Sequence, residues 1–324
     1  MRFILRLATL ACLTNSPAQA RPILAWPVDC TLGDTCHLQS YVDVDPTDGA
    51  VDHTCGPLSY DGHKGTDIAL TSRAVMEAGV AVRAAAPGRV TATRDGMDDR
   101  LFADDTDLQG QDCGNGVVID HADGWQTQYC HLARGSVTVR PGQAVDTGDR
   151  LGAIGLSGRT QFPHLHLSVR HAGRTVDPFA PDAEPSDCGP PHPGAGLWAD
   201  PKPVYRPGGL IAAGFAAGVP DYDEIKAGAA GTPDLPADSP ALVLWAHAFA
   251  ARAGDRITLR ITGPDGKTAF DTDIPLDRAQ AQLFRAAGKR LSTPLDIGLW
   301  HGTATLRRDD GVIDSRTVTL TVRP

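Results

Sequence analysis

The stretch 162-FPHLHLSVR-170 sets two histidines, His164 and His166, two residues apart inside a strand-like run. Side chains on a strand alternate between faces, so the two imidazoles share one face while Leu165, Leu167 and Val169 share the other. The apolar trio marks the core side of a β-sheet and leaves both histidines together opposite it. Taken alone, H-x-H has two readings: part of a metal site, or two polar residues on the wet face of an ordinary strand.

Outward from this stretch, residues from about Val75 to Ser168 read as short strands separated by turn residues. The segment 80-VAVRAAAPGRVTATR-94 holds two strands around Pro87 and Gly88, and 115-NGVVIDHADGWQTQYCHL-132 is a hairpin turning at Ala122 to Gly124. A Gly-punctuated strand follows in 150-RLGAIGLSG-158. Long helical periodicity is absent, which predicts a mainly antiparallel β-sheet domain. Between two of these strands lies an aspartate-rich insertion, Arg94 to Asp112, readable either as a solvated loop or as a flap bordering a substrate groove.

Composition shifts to Pro, Gly and Ala over 184–239, which reads as an irregularly packed linker. Alternating strands return in 241-ALVLWAHAF-249, 256-RITLRITG-263, 303-TATLRR-308 and 316-RTVTLTV-322, predicting a small immunoglobulin-like β-sandwich over 240–324. His247 and His301 each stand alone in these strands, which favours structural roles. The chain of 324 residues thus divides into a leader at 1–20, a cysteine-containing segment at 21–59 packing on the next unit, a β domain at 60–183, the linker and the sandwich.

The leader, MRFILRLATLACLTNSPAQA, carries Arg2 and Arg6, an apolar run and a small-x-small end, the pattern of a secretory signal cleaved after Ala20. No later segment is apolar for long enough to span a bilayer, so a soluble, unanchored exported chain is expected. Removal of the leader takes Cys12 and leaves six cysteines, an even number that suits disulfides in an oxidising compartment such as the periplasm. Cys30 and Cys36, flanking a short turn, form the best local pair. A net charge of −9 provides no basic footprint for nucleic acid or anionic membrane.

Two further stretches bear on the paired histidines. In 60-YDGHKGTDIAL-70, His63 and Asp67 lie four apart across Gly65, in a tight loop that can turn both toward one point; in 127-TQYCHLARG-135, His131 ends a strand whose Thr127 and Tyr129 share its face. Two histidines and a carboxylate suit zinc, and three protein ligands leave a position open for water, whose pKa falls to ~7 in such sites. Further histidines beside the metal can move protons or hold an oxyanion. His121 reads as a turn residue, and His37, His53, His171 and His192 lack partners in pattern. Lys64, Arg134 and Arg159, near the motif residues, could meet a substrate carboxylate.

The H-x-x-x-D of His63 and Asp67, the Y-x-H-L of Tyr129 to Leu132, 139-VRPGQAVDTGDRLGAIGLSG-158, the H-L-H of 164–166 and the following 176-VDP-178 resemble the lysostaphin and LytM-type zinc metallopeptidases, in the same order over about 60–179. Ser157-Gly158 stands where that family more often has Thr-Gly. The resemblance implies a duplicated hybrid-motif fold and one zinc ion held by His63, Asp67 and His166. It makes His131 and His164 the catalytic pair, and hydrolysis of peptide bonds in peptidoglycan the activity, with stem-peptide cross-links as the expected target. Rival readings are a non-catalytic activator of another wall hydrolase on the same fold, and a wall-binding module. The expected working form is a monomer with a peptidoglycan peptide as substrate, its C-terminal sandwich open to a protein partner.

Overall fold

The computed structural model describes residues 21–104, 106–183, 188–189 and 196–324. The expected leader and His192 lie outside them. The first half of the chain runs β1 (Cys36–Ser40), β2 (Thr66–Leu70), a short helix α1 (Arg73–Glu77), β3 (Ala81–Arg83), β4 (Gly88–Arg94), β5 (Asn115–Asp120), β6 (Trp125–Leu132), β7 (Ala144–Val145), β8 (Arg150–Ala153), β9 (His164–His171) and β10 (Arg174–Val176). The main sheet has the order β1-β2-β9-β6-β5-β4-β7, with β10 added to β9, and every pairing in it is antiparallel. A two-stranded sheet of β3 and β8 completes this half. The mainly antiparallel β architecture expected from the sequence is the one adopted.

Alternation in β9 explains its central place. Leu165, Leu167 and Val169 are at most 1% exposed and enter the core with Ile68, Val117, Ile119 and Tyr129. Each such burial contributes roughly 1.5–3 kcal/mol. The opposite face of β9 carries His164, His166 and Ser168, so the strand that anchors the core also displays the candidate site. Three disulfides join Cys30 to Cys36, Cys55 to Cys188 and Cys113 to Cys130. The first is the local pair expected from sequence.

The second half comprises β11 (Gly209–Ala216), helix α2 (Tyr222–Ala227), β12 (Asp234–Pro236), β13 (Ala241–Ala251), β14 (Arg256–Thr262), β15 (Thr268–Pro275), β16 (Gln280–Arg290), β17 (Gly298–Arg308) and β18 (Gly311–Arg323). Sheets β11-β13-β16 and β12-β18-β17-β14-β15 close over a second core built on Leu244, Ile257, Leu259, Leu306 and Leu320. Here the stretch expected to be an irregular linker differs: β11, α2 and β12 lie inside 184–239. Its glycines and alanines fit β11 against bulky neighbours, since Gly214 is so close to the Trp245 indole that a Cβ would fall 2.6 Å from it. Small residues signal close approach as readily as looseness.

The halves also touch directly. Gln282 Nε2 donates to Gln39 Oε1 at 2.9 Å, Arg316 Nη2 donates to the Gly33 carbonyl at 2.8 Å, and the His37 ring lies 4.5 Å from that of Phe249. Among the described residues no helix is long and apolar enough to cross a membrane.

Candidate metal and catalytic site

Register brings the site together. Across the β2 and β9 ladder Asp67 faces His166 and Ala69 faces His164, while β6 sets Cys130 opposite His166 on the other side. Directly opposed residues share a face, so Asp67 joins the two histidines on the side away from the core. His63 comes from the loop before β2, where Gly62 at φ +71° makes the turn. Gly65 then lets the chain pass under the His166 ring, where a Cβ would sit 2.5 Å from Nε2.

His131 requires a correction. The sequence reading places it on the face of Thr127 and Tyr129, but Tyr129 pairs with Leu167 and is buried in the core. Strict alternation would bury His131 there too. Instead His131 adopts φ +62°, a left-handed conformation uncommon outside glycine, and its ring lies 4.6 Å from that of His164 and 6.0 Å from that of His166. A kink in the backbone, not periodicity, delivers this histidine to the site.

Each of the four imidazoles has its outward nitrogen engaged. His63 Nδ1 lies 2.6 Å from the Tyr41 carbonyl, His131 Nδ1 2.8 Å from the Ser157 carbonyl, and His164 Nδ1 2.9 Å from the Phe162 carbonyl. A carbonyl only accepts, so in each case the Nδ1–H donates and Nε2 is left with a bare lone pair. His166 is turned the other way, with Nε2 3.1 Å from Ser168 Oγ and Nδ1 facing inward. The inward atoms converge: His166 Nδ1 is 2.8 Å from Asp67 Oδ1, His63 Nε2 is 3.2 Å from the same oxygen, and the two nitrogens are 3.1 Å apart. One ligand atom each from His63, Asp67 and His166 lies within 4.8 Å of the others, making this trio able to hold a metal ion. His164 Nε2 approaches Asp67 Oδ1 at 3.4 Å.

Electrostatics follow from the same geometry. Burial alone would raise the Asp67 carboxyl, but the charges and hydrogen bonds of His164, His63 and His166 outweigh it and hold the group well below the usual carboxylate range. Burial likewise would lower His63, yet Asp67 wins and raises it. His166 is lowered, by burial first, against the pull of Asp67. His131 falls well below the ordinary histidine value through burial, with His164 and His166 adding repulsion. A buried anion thus faces several imidazoles that cannot all be protonated beside it, an arrangement that favours one compact cation among neutral rings.

Several supporting residues escaped the sequence reading. Ser168 was visible in principle, two residues beyond His166 on its face, but the carbonyls of Tyr41, Ser157 and Phe162 carry no side-chain signal. Asn115 is fully buried; its Nδ2 donates to the Met97 and Leu132 carbonyls, and its backbone N–H donates to Ser157 Oγ. It thereby ties both neighbours of the kinked His131 segment to the aspartate-rich insertion. That insertion is pinned: Asp99 accepts from the backbone N–H groups of Arg134 and Leu156, and Asp95 from those of Gly135 and Val137. Asp95 and Asp99 thus serve as backbone acceptors that tie the insertion to the loops next to His131 and Ser157.

Arg134 and Arg159, candidates for a substrate carboxylate, are already engaged. Arg134 pairs with Asp98, and Arg159 pairs with Asp112 at 2.5 Å and covers the Phe102 ring at 4.4 Å. Lys64 lines a groove of about 620 Å³ beside His63. His121 is the expected turn residue, with its ring nitrogens 2.7 Å from the Pro87 carbonyl and 2.8 Å from Thr127 Oγ1.

Residues 61–178 match the model of peptidase family M23. The cell division protein DipM of Caulobacter vibrioides is 41% identical over 68 residues, 21% of this chain and 11% of the relative. The peptidoglycan DD-endopeptidase ShyA of Vibrio cholerae is 42% identical over 64 residues, 20% of this chain and 14% of the relative. The chain thus spans only a small fraction of either relative's length. A solved zinc-containing peptidase from Vibrio cholerae aligns over 43% of this chain and 38% of that one, at 25% identity and a TM-score of 0.28.

Proposed function

From a peptidase family M23 domain at residues 61–178, we propose that the protein is an exported zinc-dependent endopeptidase that hydrolyses peptide bonds of peptidoglycan, at the stem-peptide cross-links. The observation that carries this reading is the convergence of one atom each from His63, Asp67 and His166, with the outward ring nitrogens of both histidines anchored. Two imidazole nitrogens and one carboxylate oxygen suit zinc in both softness and number, and leave room for a fourth ligand. Zinc held there supplies a Lewis acid for the scissile carbonyl and lowers the pKa of water.

The chain's own residues do the rest. His131 and His164, fixed by their Nδ1–H bonds to backbone carbonyls, each present a neutral Nε2 as a proton acceptor. A proton taken there is passed to the departing amine, and the protonated ring steadies the charge developing on the carbonyl oxygen. Phe162, stacked on His164 with ring centroids 4.5 Å apart, holds that imidazole in place. Three disulfides and the expected leader support export to an oxidising compartment, where this substrate lies.

The test is incubation of the purified protein with purified sacculi, with and without a chelator. Peptide release that stops on chelation and returns with zinc is the expected result. Bound zinc without any release would instead favour the non-catalytic regulator.

A further inference from the structure

His131 owes its place to a left-handed backbone conformation, φ +62°, whose cost its neighbours must offset. Two of the restraints come from one residue. The His131 backbone N–H donates to the Cys113 carbonyl at 2.8 Å, and Cys130, the residue before His131, is joined to Cys113 by a disulfide. Cys113 therefore grips both residues of the kink, one covalently and one through a hydrogen bond. Of the three disulfides, this one alone adjoins a candidate site histidine in sequence. Cys130 stands opposite His166 in the ladder between β6 and β9, so it shares the site face of the sheet and continues the row of Asp67 and His166. The bond passes over Gly116, where a Cβ would lie 2.9 Å from Cys113 Sγ. Gln128 Nε2, from two residues before Cys130, donates to that sulfur at 3.3 Å. On the other side, the Asp112 carbonyl accepts from the Arg159 backbone N–H at 2.8 Å, in the loop of Ser157, whose carbonyl holds the His131 ring. Residues 112 and 113 thus reach both the backbone of His131 and the loop that fixes its imidazole. The metal-holding trio draws on other anchors: the Tyr41 carbonyl for His63, the ladder between β2 and β9 for Asp67, and Ser168 for His166.

We propose that the Cys113–Cys130 disulfide is a positioning element for His131 and gates the reaction by redox state: the chain holds its metal with or without the bond, and turns over only once the bond has formed. The proposal rests on reading the neighbouring site as a peptidase. Closing the bond takes two electrons and two protons from the thiols and passes them to the disulfide of an oxidising partner, which leaves as a dithiol. The bond spans a separation of 17 residues, so it acts by restricting the alternatives to the kinked conformation. A chain in a reducing compartment is then inert, and export to an oxidising one completes it.

The test compares the full zinc-loaded chain with two double variants, Cys113→Ala/Cys130→Ala and, as the control, Cys55→Ala/Cys188→Ala. Three quantities are read on each: zinc content, kcat and KM on a cross-linked muropeptide, and the NMR resonance of the His131 Nδ1–H proton, assigned by its absence in His131→Ala. The first variant is expected to lose that resonance and to fall roughly 10²- to 10⁴-fold in kcat with KM little changed, at an unaltered zinc content. The control is expected to match the unaltered protein throughout. If the first variant does not fold, the same readings are taken on the unaltered protein after reduction by a phosphine, which takes up oxygen from water as both sulfurs become thiols; alkylation then identifies Cys113 and Cys130 as the residues freed. A resonance and turnover that survive loss of the bond overturn the proposal, as do zinc lost together with turnover, or equal losses in the control. A resonance that depends on the bond in a chain that cleaves no muropeptide keeps the positioning element and loses the peptidase reading; cleavage indifferent to the bond does the reverse.

Discussion

Besides His53, buried 3.3 Å from Asp177, the described residues bury histidines in two clusters, and their surroundings separate a reactive site from a structural joint. At the candidate site four imidazoles crowd one ionised carboxylate, and two inward nitrogens lie about 3 Å from its oxygen. At the joint between the halves, His37 meets Gln39 at 3.1 Å and the Phe249 ring, while His247 meets Tyr222. These neighbours are neutral. Burial pushes His37 down to about 4 and His247 to about 3, with Arg316 adding repulsion to His37 and His37 and Lys226 to His247. Burial alone therefore makes a histidine inert; a buried anion at bonding distance is what turns a cluster of them into a cation site.

The largest effects expected from this contrast lie at the site. His166→Ala should abolish metal binding, whereas His164→Ala should keep the metal and lose turnover by roughly 10²- to 10⁴-fold. Metal content falling equally in both variants, measured by atomic absorption, would break the division between holding and reacting. Ser168→Ala removes the anchor on His166 Nε2 and should weaken metal binding about 10- to 100-fold; a chelator titration reads this directly.

The joint gives a smaller, pH-dependent effect. Both His37 and His247 have folded-state pKa values below the ordinary 6.5, so the unfolded chain binds protons first as pH falls. Stability they leave intact above about pH 6.5 is lost progressively toward pH 4, at up to about 1.4 kcal/mol per pH unit for each histidine. Urea midpoints across that range should fall less steeply in His247→Gln than in the unaltered chain; identical slopes would remove this histidine from the account. The smallest effect is expected from Arg134→Ala, which breaks only an exposed pair with Asp98 and should cost less than about 1 kcal/mol. A larger loss in thermal unfolding would mean that the insertion is held mainly by that pair and not by the backbone bonds of Asp95 and Asp99.

Much of this was legible in the sequence because strand alternation is a local rule. It put Leu165 and Leu167 in the core and His164 beside His166, and the even cysteine count matched three bridges. Register was not legible: nothing local says that Asp67 must face His166, which the ladder between β2 and β9 decides. His131 was found by motif but set on the wrong face, because a single residue at positive φ reverses alternation without altering composition. The small residues around Gly214 read as a linker, since close packing against Trp245 becomes visible only when both strands are in place. The anchoring carbonyls of Tyr41, Ser157 and Phe162 belong to the backbone and leave no mark on residue identity.

The central claim is that three converging lone-pair atoms hold one zinc ion and that His131 and His164 act beside it. Its most direct test is zinc stoichiometry and product mass measured on a single sample with a defined cross-linked muropeptide. One zinc per chain with products of the mass expected for a hydrolysed stem-peptide cross-link is the predicted result. A full complement of zinc with the muropeptide recovered intact would contradict it.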